Sequence, residues 1–134
     1  MRIIDGDGME CNTFETGQPF RLEMDYVANQ PTMSPVFGLA IHHNYGTHIT
    51  GPNTNQFGLT LPELTGSGTV KFTVPALPLL SGLYRLTVAV VDHDDTEIFD
   101  IHGRAYPFRV VDSETIIERF GYTTLGGEWE FEGE

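Results

Sequence analysis

Five stretches of this chain alternate apolar with polar or small residues at a period of two, and none carries a long helical stripe. Successive side chains of a strand point to opposite faces, so such alternation marks strands with one face buried. Residues 19–28 set Phe20, Leu22, Met24 and Tyr26 against Arg21, Glu23 and Asp25. Residues 36–43 set Phe37, Leu39 and Ile41 against Val36, Gly38, Ala40 and His42. Residues 69–74 set Val70, Phe72 and Val74 against Thr69, Lys71 and Thr73. In 83–91 the inward set is Tyr84, Leu86, Val88 and Val90, and the outward set Arg85, Thr87, Ala89 and Val91. Residues 105–111 turn Tyr106, Phe108 and Val110 inward and Pro107 and Arg109 outward. Shorter strands are expected at 2–5, 12–15, 48–50, 97–101 and 128–131.

Turn chemistry separates these segments: Asp5-Gly6-Asp7-Gly8, Thr16-Gly17, Asn44-Tyr45-Gly46, Gly66-Ser67-Gly68, Ser81-Gly82 and His93-Asp94-Asp95. Many short strands with closely spaced turns predict an all-β fold, an immunoglobulin-like antiparallel β-sandwich. Tyr84, just after Gly82, reads as a tyrosine corner. The one helical candidate is 113–120, with Ser113 as cap, Ile116, Ile117 and Phe120 on one side, and Gly121 as its end. At 134 residues, with no repeats or linkers, 1–134 reads as a single β-sandwich domain.

Seven Lys+Arg against nineteen Asp+Glu give a net charge of −12, and Lys71 is the only lysine. Nucleic acid and anionic lipid both demand a basic patch that such a chain cannot easily build. No apolar run reaches the length of a membrane helix, so direct membrane insertion is not expected. The opening MRIIDGDGMEC lacks the apolar stretch of a signal peptide. Cys11 is the only cysteine, which fits a reducing compartment and excludes an internal disulfide.

The outward residues divide the strands into two sets. Arg21, Glu23, Asp25, Lys71 and Thr73 make an ordinary solvated face. Val36, Gly38, Ala40, His42, Arg85, Thr87, Ala89, Val91, Pro107 and Arg109 are small or apolar, with polar groups toward the ends. Short side chains on a sheet make a shallow trough, and an exposed apolar patch marks a contact. A sugar suits it, with its C–H face on the small residues and its hydroxyls bonded by His42, Arg85, Thr87 and Arg109. Cover by a C-terminal segment or a partner subunit explains the same patch.

Catalytic and metal chemistry find little support. His42 and His43 are adjacent in a strand and point apart, and no HxH or HExxH spacing occurs. Asp92-His93-Asp94-Asp95 lacks the spacing of a calcium loop and is ordinary as a turn. GxSxG, Cys–His and GxxxxGK[ST] signatures are missing, so no catalytic residue, cofactor or metal is expected. A glycosidase pair among nineteen acids stays open, as does Trp129 as either a sugar platform or a packed aromatic.

The stretches FETG (14–17), PVFGLAIHHNYG (35–46), GPNT (51–54), LPELTGSGTVKFTVPALPLLSGLYRLTVAV (61–90) and FRVV (108–111) together resemble a known family. It is the C-terminal carbohydrate-binding domain of polysaccharide (O-antigen) ABC-transporter ATP-binding proteins, the Wzt C-terminal domain family, and the likeness spans roughly the whole chain. The resemblance implies a non-catalytic sandwich that binds a finished, often end-modified, polysaccharide. It would act at the cytoplasmic face of the bacterial inner membrane, beside a transporter ATPase domain and a membrane subunit. The family's nucleotide-binding half has no counterpart here. A homodimer with exchanged C-terminal strands is also implied. In this chain that assigns 121–134 to the exchange, with Tyr122, Leu125, Trp129 and Phe131 at the interface and Gly126-Gly127 as the joint. A tail folding back on its own domain is the alternative. Two other functions stay open: a protein-interaction module of a transporter complex, and a glycan-modifying enzyme.

Overall fold

The apolar sides of the alternating segments close on one another in a computed structural model that describes residues 1–94 and 97–133. The strands are β1 (Arg2–Ile4), β2 (Thr13–Glu15), β3 (Phe20–Thr32), β4 (Val36–His43), β5 (His48–Thr50), β6 (Leu64–Val74), β7 (Gly82–Val91) and β8 (Ile98–Val111). They form two sheets, of order β1-β3-β6 and β2-β8-β7-β4-β5. The smaller sheet contributes Ile3, Phe20, Leu22 and Met24 to the core, and the larger contributes Phe14, Phe37, Leu39, Ile41, Tyr84, Leu86, Val88, Phe108 and Val110. Burying each such side chain is worth about 1.5–3 kcal/mol, so inward parity is what sets the register of both sheets. One end is filled by rings, with Phe14–Phe20 centroids 5.0 Å apart, Phe20–Phe108 5.1 Å and Tyr84–Phe108 5.6 Å. The Tyr84 hydroxyl donates to the Leu80 carbonyl at 2.7 Å, which is the expected tyrosine corner.

The sandwich is the expected one, with local corrections. Every strand pair is antiparallel except β2–β8, which is parallel. Gly66-Ser67-Gly68 is not a turn: it lies inside β6, paired with Ala28, Val27 and Tyr26. The Tyr26 ring occupies the space a Cβ at Gly68 would need, so a glycine pair that reads as a turn serves here as a seat for an aromatic. The expected strands at 97–101 and 105–111 are one strand, β8, joined through a bulge.

No helix forms at 113–120. The Ser113 hydroxyl accepts the Thr115 amide at 3.1 Å, and the Arg119 guanidinium donates to the carbonyls of Ser113, Ile116 and Glu118. Those side chains take the groups a helix would pair within its backbone, while Ile116 packs onto Gly17. The expected strand at 128–131 is also absent. Tyr122 and Thr124 bond back to Leu80 and Pro78, after which the chain leaves the body of the domain, and Leu125, Trp129 and Phe131 are each at least nine-tenths exposed. Of the turn at 92–95, Asp95 lies outside the described residues.

Candidate functional site

The two outer faces differ as the parity predicts. On the smaller sheet, Glu23 and Asp25 sit among cations. Arg2 pairs with both, Arg21 reaches Glu23 at 3.0 Å, Lys71 reaches it at 3.8 Å, and the Thr69 hydroxyl donates to Asp25 at 2.8 Å. Arg2 lowers the pKa of both carboxylates by donating hydrogen bonds to them. This face is neutralised and solvated.

The larger sheet presents rows of outward residues across β4, β7 and β8. Val36–Val91–Ile98 and Gly38–Ala89–Ile101 form an apolar end. Ala40–Thr87 and His42–Arg85–Pro107 follow, and Leu83–Arg109 closes the other end. Val36, Gly38, Ala40, Ala89 and Val91, with Pro52, Asn53 and Asn55, line a depression of about 300 Å³. Its far wall is the GPNT stretch, which runs along the β4 edge. Leu39 N donates to Pro52 O at 3.1 Å, Thr54 N to Phe37 O at 2.9 Å, and Gly38 bridges Asn53. A Cβ on Gly38 would stand in ordinary contact with the Asn53 side chain, at 3.4 Å, so glycine serves to keep the floor low.

His42, Arg85, Thr87 and Arg109 therefore share one face. His42 and Arg85 are directly paired, Thr87 is one row away, and Arg109 lies diagonal to Arg85, about 7–8 Å distant. His42 and His48 have ring centroids 4.9 Å apart, and His42 Nδ1 is shielded from water without a hydrogen-bond partner. Burial, then the nearby charges of Arg104 and His48, hold the His42 pKa below the usual histidine value. Arg85 Nε lies 3.4 Å from Asn44 Oδ1.

Arg104 also belongs to this face, and sequence reasoning missed it. Between the pairs Leu86↔Tyr106 and Val88↔His102, β8 carries two more residues than β7, so Thr87 faces the bulged stretch 103–105. Arg104 takes a left-handed φ of 49°, and its N–H donates to Thr87 Oγ1 at 2.8 Å. Thr87 is thereby a structural residue as well as a surface one. His102-Gly103-Arg104 reads as a strand break in the sequence, and nothing in its composition marks Arg104 as the left-handed residue of a bulge.

Two other features stand apart from this face. A cleft of about 430 Å³ opens between the sheet ends, lined by Met24, Tyr26, Phe37, Val88, Val90 and Phe99. At its rim His102 contacts the Tyr106 hydroxyl and lies 3.5 Å from Asp100. Among the described residues no three His, Cys, Asp or Glu side chains gather as a metal site, and no helix is long and apolar enough to cross a membrane. Tyr122, the first expected interface residue, packs on His43 at 4.6 Å between centroids, apart from the exposed Leu125, Trp129 and Phe131.

Among solved structures, the chain is similar to one described as the crystal structure of the C-terminal domain of wzt. The TM-score is 0.84 at 18% identity, over 98% of this chain and 80% of that one. No curated protein matches. The family model described as the Wzt C-terminal domain matches residues 1–125, and the chain with its two-sheet sandwich belongs to that family.

Proposed function

We propose that this chain is a non-catalytic carbohydrate-binding domain that recognises a polysaccharide, with the outer face of the larger sheet as its binding surface. The observation that carries this reading is the contrast between the two outer faces. One is a neutralised charge ladder, whereas the other is a small-residue depression with hydrogen-bonding groups at one end. The depression accepts the apolar face of a sugar ring, while His42, Arg85, Thr87 and Arg109 reach hydroxyls. The family resemblance supplies the setting. The domain would select a glycan such as O-antigen for an ABC transporter, as a homodimer beside the ATPase domain and membrane subunit, on the cytoplasmic side.

Replacing His42, Arg85 or Arg109 by Ala should each weaken oligosaccharide binding by a few-fold to about tenfold, the worth of one hydrogen bond to a hydroxyl. Calorimetry with a cognate oligosaccharide reads this. Unchanged affinity in all three, with NMR shifts at Glu23 and Lys71, would move the site to the other sheet. A second reading, a protein-interaction module, is favoured by one observation: Leu125, Trp129 and Phe131 stand exposed together on the tail. Partner capture that survives the three substitutions but not removal of 126–134 would support it.

A further inference from the structure

The inner side of β8 changes character along its length. Phe108 and Val110 are core residues, whereas Asp100 and His102 pair directly across from Val90 and Val88 and so stand on the same inner side of the sheet. Tyr106, across from Leu86, shares that side and is partly buried. Ionisable residues are tolerated at core-side positions there because the smaller sheet gives no cover. It has three strands against five, β1 reaches only residues 21–23 of β3, and every residue of β8 from 98 to 105 is exposed. The cleft of about 430 Å³ lies in that gap, within the roughly 300–1,000 Å³ of small-molecule sites. Its apolar walls are Met24, Tyr26, Phe37, Val88, Val90 and Phe99, and its acids are Asp25 and Asp100. Asp25 is engaged by Arg2 and Thr69, while Asp100 has, among the described residues, only His102 as an ionic neighbour.

We infer that this cleft binds a small cationic amphiphile, with an ammonium at Asp100 and Tyr106 and an apolar body between the sheets. The inference is independent of the glycan reading, since these residues face inward rather than along the outer trough. Donors and acceptors decide the head group. Asp100 Oδ2, 3.5 Å from His102 Nε2, favours the proton on that nitrogen, so Nδ1 accepts from the Tyr106 hydroxyl. The Tyr106 lone pairs and the second Asp100 oxygen then remain as acceptors, which calls for a donor carrying positive charge. The rings of Tyr26 and Phe99 suit a cation or an aromatic body alike, and the net charge of −12 favours the approach of a cation. An added peptide strand is a poorer occupant. The bulge, Pro107 and the inward charge of Asp100 are all features that keep strands off an edge.

The test is an NMR titration of the isotopically labelled full chain with phenethylamine, phenethyl alcohol, hydrocinnamate and ethylamine. Expected are shifts of the Phe99, Asp100 and His102 amides. Phenethylamine should bind about tenfold or more tighter than hydrocinnamate, and ethylamine far more weakly than phenethylamine. Asp100→Asn should bring phenethylamine down to the affinity of the alcohol without changing that of the alcohol, and Phe99→Ala should weaken both by a few-fold. Both positions are exposed, so neither substitution disturbs the core. Equal binding of phenethylamine and either of the other two phenyl compounds overturns the inference, as does an Asp100→Asn variant that keeps the amine's advantage. Ethylamine binding as tightly as phenethylamine, with shifts concentrated at Glu128, Glu130 and Glu132, reduces the effect to general attraction by an acidic chain and overturns it too. No shift in the cleft with any probe leaves Asp100 as a charge that only blunts the β8 edge, and the inference falls.

Discussion

At the scale of single residues, Tyr84 ties chemistry to stability most directly. Its ring is fully buried and its hydroxyl holds the Leu80 carbonyl at 2.7 Å. Burial, with a smaller contribution from Tyr122, pushes the phenol up to about 12 from 10.0. Between those values the unfolded chain gives up the proton first, so this residue stabilises the fold below pH 10 and its contribution fades as pH rises toward 12. Tyr84→Phe should cost about 1–2 kcal/mol by stranding the Leu80 carbonyl, and lower the melting temperature by roughly 3–6 °C. A thermal melt followed by circular dichroism measures it. The corner was legible because Gly82-Leu83-Tyr84 precedes a long alternating strand. His42, Arg85, Thr87 and Arg109 were legible for the same reason, since parity alone assigns a face. Arg104 was not, because two additional residues in β8 are balanced by nothing local: only the pairing with β7 reveals them.

At the scale of elements, alternation gives a strand where a core face exists and gives none where side chains satisfy the backbone. Gly66 and Gly68 look like turn residues, yet Tyr26 on β3 lies over Gly68 and makes the glycine a packing requirement. Gly68→Ala should therefore cost about 1–3 kcal/mol through the displaced ring. A midpoint in urea equal to that of the parent would show that Tyr26 can swing away. The segment after β8 follows a different logic. Glu118 accepts bonds from the Thr124 hydroxyl at 2.6 Å and from the Leu125 and Gly126 amides, which draws the tail back over 113–120. Those bonds, the Thr124 one first, hold the Glu118 pKa below 4.5. Its contribution is present above pH 4.5 and is lost as pH falls through the lower folded value. Protection of the Leu125 and Gly126 amides, taken relative to their intrinsic exchange rates at each pH, should fall as pH drops below 4.5 in the parent, and be lost at pH 7 in Glu118→Ala. Exchange that is slow in both would assign the protection to another contact.

At the scale of the whole molecule, charge and apolar surface are segregated: a neutralised sheet, a basic and apolar sheet face, and an acidic tail carrying Trp129 and Phe131. The sandwich follows from the alternation because both sheets need an inward face. The destination of the tail does not, since Glu128-Trp129-Glu130-Phe131-Glu132 alternates like a strand and pairs with no edge among the described residues. If a second copy supplies that edge, light scattering at tens of micromolar should give a dimer, with blue-shifted Trp129 fluorescence. Removal of 126–134 should give a folded monomer, because the Tyr122 and Thr124 bonds to Leu80 and Pro78 remain. A monomeric full chain with solvent-like Trp129 emission would leave the tail to a different partner.

The insertion in β8 adds an even number of residues between Tyr106 and His102, so the two halves of the strand stay in phase. A related chain could lengthen or shorten that insertion by two and exchange Arg104 for another side chain. Every residue of β8 on either side of it would keep its side of the sheet, Phe108 and Val110 in the core included. An odd change would instead turn Asp100 and Tyr106 to opposite sides of the sheet. The bulged part of the strand can thus vary in steps of two without disturbing the core, a loop's freedom held inside a continuous strand.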